Sequence, residues 1–262
     1  MMLAFGYAIL YSFGVIGIAN KGFTIEFWVK VLSEGEFWNS FLYSSIIALL
    51  TMVLSIGIAL LMVVKYHSDF KNKYISFISY LPLSIPGTVA AFFSVQVLSK
   101  SGFFSRIFYN IGFIDDLTQF PDLINDFYAI GIIATFISVV TPFFILLFLS
   151  VYQQERIEDL TTLAQSLGSN QSQSTWKVTI PILLQKTWRL IALYFIFLLG
   201  AYEVPLILGR ESPQMLSVII VRDLRQYDLG QISEGYVLAI IYTLIVGLIT
   251  FLIFSQRRER YA

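Results

Sequence analysis

The chain of 262 residues contains no cysteine and a single histidine, His67. These absences exclude disulfides, thiol nucleophiles and iron–sulfur clusters, and leave almost nothing from which to build a zinc site. Charge is scarce too. Only 13% of residues are charged, against about 25% in soluble domains. Lys plus Arg and Asp plus Glu balance at 17 each, so the basic stripe that nucleic-acid binding needs is missing. Nowhere does the sequence contain the Gly-x-x-x-x-Gly-Lys-[Ser/Thr] loop that cradles a triphosphate.

What is present is apolar surface. Hydrophobic residues make up 57% of the chain, with 24 Phe, 15 Tyr and 4 Trp. Runs of about 20 apolar residues mark membrane-spanning helices. Five are clear: Ser40–Val64, Tyr74–Leu98, Ala129–Tyr152, Leu190–Leu208 and Tyr236–Phe254. A sixth, Met2–Ala19, is shorter and carries Gly6, Gly14 and Gly17. Gly17 and Ala19 loosely fit a signal-peptide cleavage site. No Lys or Arg precedes the run, however, so a retained helix is expected and a start upstream of Met1 stays open. The expected fold class is all-α, a polytopic integral membrane protein with six transmembrane helices. No linker, repeat or low-complexity tract divides residues 1–262.

Orientation follows from Lys and Arg between the spans. With the N-terminus inside, the inner segments hold Lys65, Lys71, Lys73, Arg156, Lys177, Lys186, Arg189, Arg257, Arg258 and Arg260. The outer ones hold Lys21, Lys30, Lys100, Arg106, Arg210, Arg222 and Arg225. Ten against seven places both termini in the cytoplasm. On the outer side, Phe27 with Val31 and Trp28 with Leu32 fall at i, i+4 within Thr24–Trp38. An interfacial helix and an aromatic belt fit that pattern equally. The loop 99–128, with Gly102, Gly112 and Pro121, is expected to fold as short helical pieces. His67, in a short inner loop, reads as a solvated surface residue.

The inner segment 153–189 is the most informative. Gln153–Leu167 has good helix formers and an acidic opening of Glu155, Glu158 and Asp159, which suits a helix N-terminus. Gly168 is a natural left-handed stop. Ser169 or Asn170 then caps a second short helix. Pro181 stands where the next membrane helix begins without needing its amide hydrogen. These residues describe two helices joined at Gly168. They equally describe a plain polar hairpin between two spans.

The spacing resembles the EAA motif of ATP-binding-cassette (ABC) importer permeases: Glu-Ala-Ala, three residues, Gly, nine residues, Ile-x-Leu-Pro. Ala164 fits the third position, Gly168 the glycine, and Val178, Ile180 and Pro181 the close. Thr162 and Leu163 depart from the Glu-Ala opening. Leu81-Pro82-Leu83-Ser84-Ile85-Pro86, Thr141-Pro142-Phe143 and Glu203-Val204-Pro205 also look like that family. The likeness covers nearly the whole chain and is nearest to the spermidine/putrescine, thiamine and ferric-iron branch of type I importers. It implies a transmembrane permease domain in the bacterial cytoplasmic (inner) membrane, a coupling helix that docks on a cytoplasmic ABC ATPase dimer, a second permease subunit of the same or a sister chain, and an extracytoplasmic solute-binding protein. By resemblance, Thr162, Leu163, Ala164, Gln165, Ser166, Leu167, Gly168, Ser169 and Asn170, with Val178, Ile180 and Pro181, form the ATPase-coupling segment. Lacking a nucleotide loop, the chain is expected to hold no cofactor. ATP and Mg would be bound by the partner ATPase, and this subunit would conduct without hydrolysing.

Glu203 is the one clearly intramembrane ionisable residue. About 1.5 Å per residue from Arg189 puts it roughly 21 Å up a helix. Buried carboxylates of this kind face a cavity or a partner. Glu203 therefore lines a translocation path, with a weak preference for a cation or polyamine, or reaches the outer interface, or pairs with Arg210 or Arg222. Pro205 is expected to kink its helix, and Pro86 and Pro142 serve either the path or packing. Two rivals remain. A secondary, ion-coupled transporter could use Glu203 as its coupling carboxylate, although such proteins usually have more spans and inverted repeats. An intramembrane enzyme would need a nucleophile–base pair or a metal cluster, and the chain offers neither.

Overall fold

The computed structural model describes residues 2–17, 22–226 and 229–255. Every regular element among them is helical. The helices group into two compact units, Met1–Ile46 with Ile196–Ala262, and Ile47–Phe195.

In the first unit, α1 covers Met2–Ser12, only 11 residues. The expected span Met2–Ala19 is thus cut short, because Gly14 and Gly17 turn the chain left-handed (φ 69° and 118°). Ile18 and Ala19 lie outside the described residues, as do Arg257, Arg258 and Arg260. Helix α2 covers Glu26–Ser33, with Phe27 and Val31 buried as their i, i+4 spacing implies. It stops before Glu34, so Phe37 and Trp38 belong to the next helix and not to an interfacial one. Ile25, Val29 and Leu32 remain exposed, which gives α2 a second apolar side suited to lipid. Phe27, Val31 and Phe37 pack with Leu216 and Ile219 of α12 (Leu216–Leu224) and Val237 and Leu238 of α13 (Leu229–Ser255). This cluster is the core of the unit.

Helix α3 runs over Gly35–Tyr66. One side carries Ser40, Ser44, Ala48, Thr51, Ser55 and Ala59, all fully buried. Small residues at this spacing let neighbouring backbones approach closely in a membrane.

In the second unit, the expected span Tyr74–Leu98 is not one helix. Helix α4 (Lys73–Tyr80) continues into a 3-10 turn at Leu81–Ser84, and α5 begins at Gly87 and ends at Leu98. Lys73–Ser84 and Gly87–Asn110 are bent by 97°. The cause is local. A residue before proline avoids the helical region, and Ile85, before Pro86, is extended at φ −86°, ψ 120°. The loop 99–128 forms α6 (Phe103–Asn110) and a 3-10 turn at Leu117–Gln119. Helix α7, Ile130–Gln154, passes through Pro142 without breaking.

The expected span Leu190–Leu208 differs most. A continuous helix runs from Gln171 to Leu199, and the chain then breaks at Gly200–Tyr202 before the short α11, Glu203–Leu208. Among the described residues, four helices are long and apolar enough to cross a membrane, or five if the bent pair counts as one span. The sixth expected span corresponds to the short α1.

Candidate functional site

The segment 153–189 is built from local signals. Helix α7 ends at Gln154, and Arg156 takes a left-handed conformation (φ 49°, ψ 45°) that redirects the chain. Helix α8 then covers Ile157–Ser166, shorter than the expected Gln153–Leu167. Glu158 and Asp159 occupy its first turn, as electrostatics favours. Glu155 instead caps α7 and pairs with Lys186 at 2.8 Å. Ile157, fully buried, anchors the new helix.

Helix α8 ends in a Schellman turn. The Gly168 N–H donates to the Gln165 carbonyl at 2.9 Å, and the Ser169 N–H to the Ala164 carbonyl at 3.1 Å. Gly168 sits at φ 94° with no atom within 4 Å of the position a Cβ would take. Its need is therefore conformational and not steric.

Asn170, not Ser169, caps the returning helix. Its Oδ1 accepts from the Gln173 N–H at 2.8 Å, and its own N–H donates to Gln173 Oε1 at 3.1 Å, closing a reciprocal capping box. Gln165 Nε2 donates to Gln171 Oε1 at 2.5 Å, and the Ser169 and Ser174 hydroxyls lie 2.7 Å apart, tying the arms together. Helix α9 (Gln171–Ser174) leads through a π turn at Thr175–Thr179 into α10, Ile180–Leu199. Pro181 is thus inside a helix rather than at its start. Its ring would crowd the Lys177 carbonyl one turn back, and the widened π turn is where the helix absorbs it.

All twelve expected coupling residues therefore lie on one hairpin and its returning arm. Thr162, Leu163, Gln165, Ser166, Leu167 and Asn170 are exposed, Ala164 and Ser169 half-buried. Val178 and Ile180 are half-buried in the returning helix, and Pro181 is exposed. Leu163 and Leu167 among these residues, and the neighbouring Trp176, expose apolar surface. Leu163 is 61% exposed, Leu167 90% and Trp176 69%. Leu160, Leu163 and Leu167 recur at i, i+3, i+7 outside any span, the pattern of a helix anchored in a partner's groove. That periodicity was legible in the sequence. His67 is not a solvated surface residue: its ring stacks on Tyr152 with centroids 4.7 Å apart. With Arg156, Glu158 and Asp159 it lines a recess of about 260 Å³ beside the start of α8.

Glu203 stands in the first turn of α11, exposed and without an ion-pair partner among the described residues. The count up a continuous helix fails at Gly200, where the Tyr242 hydroxyl approaches too closely for any Cβ. Pro205 does not kink a span. It lies in the first turn of α11, where an N–H has no helical acceptor to lose. The Ser217 hydroxyl donates to the Ala201 carbonyl, in the break before α11, at 2.6 Å. Glu203 and Pro205 belong to one unit and Pro86 and Pro142 to the other. Among the described residues no group of three or more His, Asp and Glu is arranged to hold a metal ion.

Arg222 is committed elsewhere, to Glu36 at 3.0 Å and Asp223 at 2.9 Å. Lys30 meets Glu234 at 2.6 Å. These side chains line a recess of about 370 Å³. Burial pushes the Asp223 carboxyl up, and Glu36 and Glu234 add to this, more than Arg222 offsets. Burial also works against the Arg222 charge, but Asp223 and Glu36 outweigh it and hold the guanidinium above its ordinary range.

Comparison with known proteins agrees with this geometry. The family model described as binding-protein-dependent transport system inner membrane component matches residues 52–257. Among solved structures, the chain is similar to one from a bacterial ABC transporter involved in the import of the acidic polysaccharide alginate. The TM-score is 0.71 at 18% identity, over 98% of this chain and 90% of that one. A second, of a bacterial alginate ABC transporter in complex with an alginate pentasaccharide-bound periplasmic protein, gives 0.67 at 19%, over 98% and 87%. At these identities the likeness speaks to the fold alone. No curated protein matches.

Proposed function

Because the chain belongs to the family of binding-protein-dependent transport system inner membrane components, and so is a multi-pass permease of an ABC importer, we propose that its hairpin from Thr162 to Pro181 docks on a cytoplasmic ATPase subunit. The observation that carries this is the Schellman turn at Gly168, which holds exposed Leu163 and Leu167 on a rigid tip outside every apolar span. A partner that covers these leucines removes apolar surface from water, about 25 cal/mol per Å². The polar neighbours Gln165, Ser166 and Ser169 bring no charge to desolvate.

ATP binding would close two ATPase subunits, and the docked hairpins of two permease chains would carry that motion into the membrane helices. This chain conducts and leaves hydrolysis and Mg to its partner. Both termini and the hairpin lie in the cytoplasm. An extracytoplasmic solute-binding protein delivers cargo, as a periplasmic protein accompanies the alginate transporter. Glu203, exposed at the break after Gly200, faces the path between the two permease chains, where it would meet a cationic or polar group.

The ion-coupled reading of Glu203 is not favoured by the family match. Co-purification with a nucleotide-binding subunit and uptake abolished by ATP depletion test the assignment. Uptake that follows a proton gradient with no ATPase present would refute it.

A further inference from the structure

On the reading that the hairpin docks on an ATPase, we propose that Glu155 and Lys186 are positioning residues, a clamp that makes α7 and α10 respond together to the hairpin's motion. Irregular backbone bounds the hairpin on both sides. On the way in, Arg156 holds a left-handed conformation that interrupts the helical hydrogen-bond ladder. On the way out, the π turn at Thr175–Thr179 widens the helix. Residues 156–179 therefore join the membrane helices through two compliant points.

Glu155 lies on the membrane side of the first point and Lys186 on the membrane side of the second, and their side chains meet at 2.8 Å. Placed there, the pair leaves the hairpin free to tilt and sets the spacing of the two helix ends. The neighbouring Arg156–Asp159 pair, at 3.0 Å, spans only i, i+3 within one turn and cannot do this. Without the clamp, a push on the hairpin bends the chain at Arg156 and reaches α10 alone. With it, the displacement enters both helices. The side chains are 51% and 35% exposed, so the pair shifts a two-state balance by about two- to five-fold and does not act as a rigid lock.

The lack of cysteine in the chain makes spin labelling clean. In the assembled transporter in lipid, labels at Ser150→Cys on α7 and Leu190→Cys on α10 report the clamp, and Ser172→Cys with Ser150→Cys reports the hairpin. The probe is ATP with vanadate. In the wild type the hairpin distance should shift and the α7–α10 distance should not. Glu155→Gln, which keeps the side-chain shape, and Glu155→Lys should both split the α7–α10 distance into two populations, with the new one enriched about two- to five-fold. Adding Lys186→Glu to Glu155→Lys should restore a single population.

A wild-type α7–α10 distance that moves with nucleotide, variants indistinguishable from wild type, or failure of the charge swap to restore would each overturn the clamp. A hairpin label that ignores ATP and vanadate in the assembled transporter contradicts the docking reading itself, and the clamp falls with it.

Discussion

The amide of Ser169 donates to the carbonyl of Ala164 across Gly168, and the 3.1 Å bond forms only because Gly168 is left-handed. The shape of the hairpin tip is therefore written in its own backbone, and the surface proposed to dock exists before any partner arrives.

Replacing Gly168 with valine should damage the tip without damaging insertion. A β-branched residue held left-handed costs about 1–2 kcal/mol, and no neighbouring atom clashes with the new Cβ. Membrane levels of Gly168→Val should match wild type while recovery of the nucleotide-binding subunit in a pull-down falls about ten-fold. Gly168→Asn, which tolerates this conformation, should lose much less. Equal loss in both variants would show that side-chain contact, and not backbone geometry, governs the site.

Asn170→Ala removes the capping box and should cost about 1 kcal/mol. Amide hydrogen exchange at Gln173 should speed up about five-fold. Asn170→Ser should restore most of the protection.

The Ser217 hydroxyl donates to the Ala201 carbonyl in the break before α11. Ser217→Ala should lower stability by about 0.5–1.5 kcal/mol, the net worth of one hydrogen bond, seen as a lower Tm in detergent. An unchanged Tm would contradict this.

Asp223 provides the pH test. Its carboxyl is raised above the ordinary 3.8, first by burial, so the folded protein holds that proton more tightly than the unfolded chain does. The contribution to stability is full below 3.8 and is lost as pH rises through the raised value. Relative to Asp223→Asn, the wild type should weaken as pH rises across the acid range, and the two curves should converge towards the low end. A wild-type advantage that grows with pH would mean Arg222 outweighs burial.

The hairpin was legible because its signals are short in range. Glycine at a left-handed stop and asparagine at a cap act within three or four residues, and their spacing carried the family resemblance. The break after Gly200 was not, because apolarity continues unbroken from Leu190 to Leu208 and hydropathy reads straight through it. The side chains that meet it, Tyr242 at Gly200 and Ser217 at the Ala201 carbonyl, are distant along the chain. The early start of the returning helix at Gln171 was hidden for the opposite reason, since polar residues such as Gln171 and Ser172 read as loop even when a cap makes them helical. Pro82 and Pro86 were visible, but only the extended Ile85 shows that they bend the chain by 97°. Leu163 was counted as a departure from a motif, and the structure leaves it, with Leu167 and Trp176, strongly exposed.

The most direct measurement uses Leu167→Cys, a unique thiol in a chain with no other, carrying a photoreactive label in native membranes. The account predicts an adduct with a nucleotide-binding subunit, altered by ATP with vanadate, and no reaction with a membrane-impermeant thiol reagent applied from outside. Labelling from the outside, or no adduct with any nucleotide-binding subunit, would contradict it.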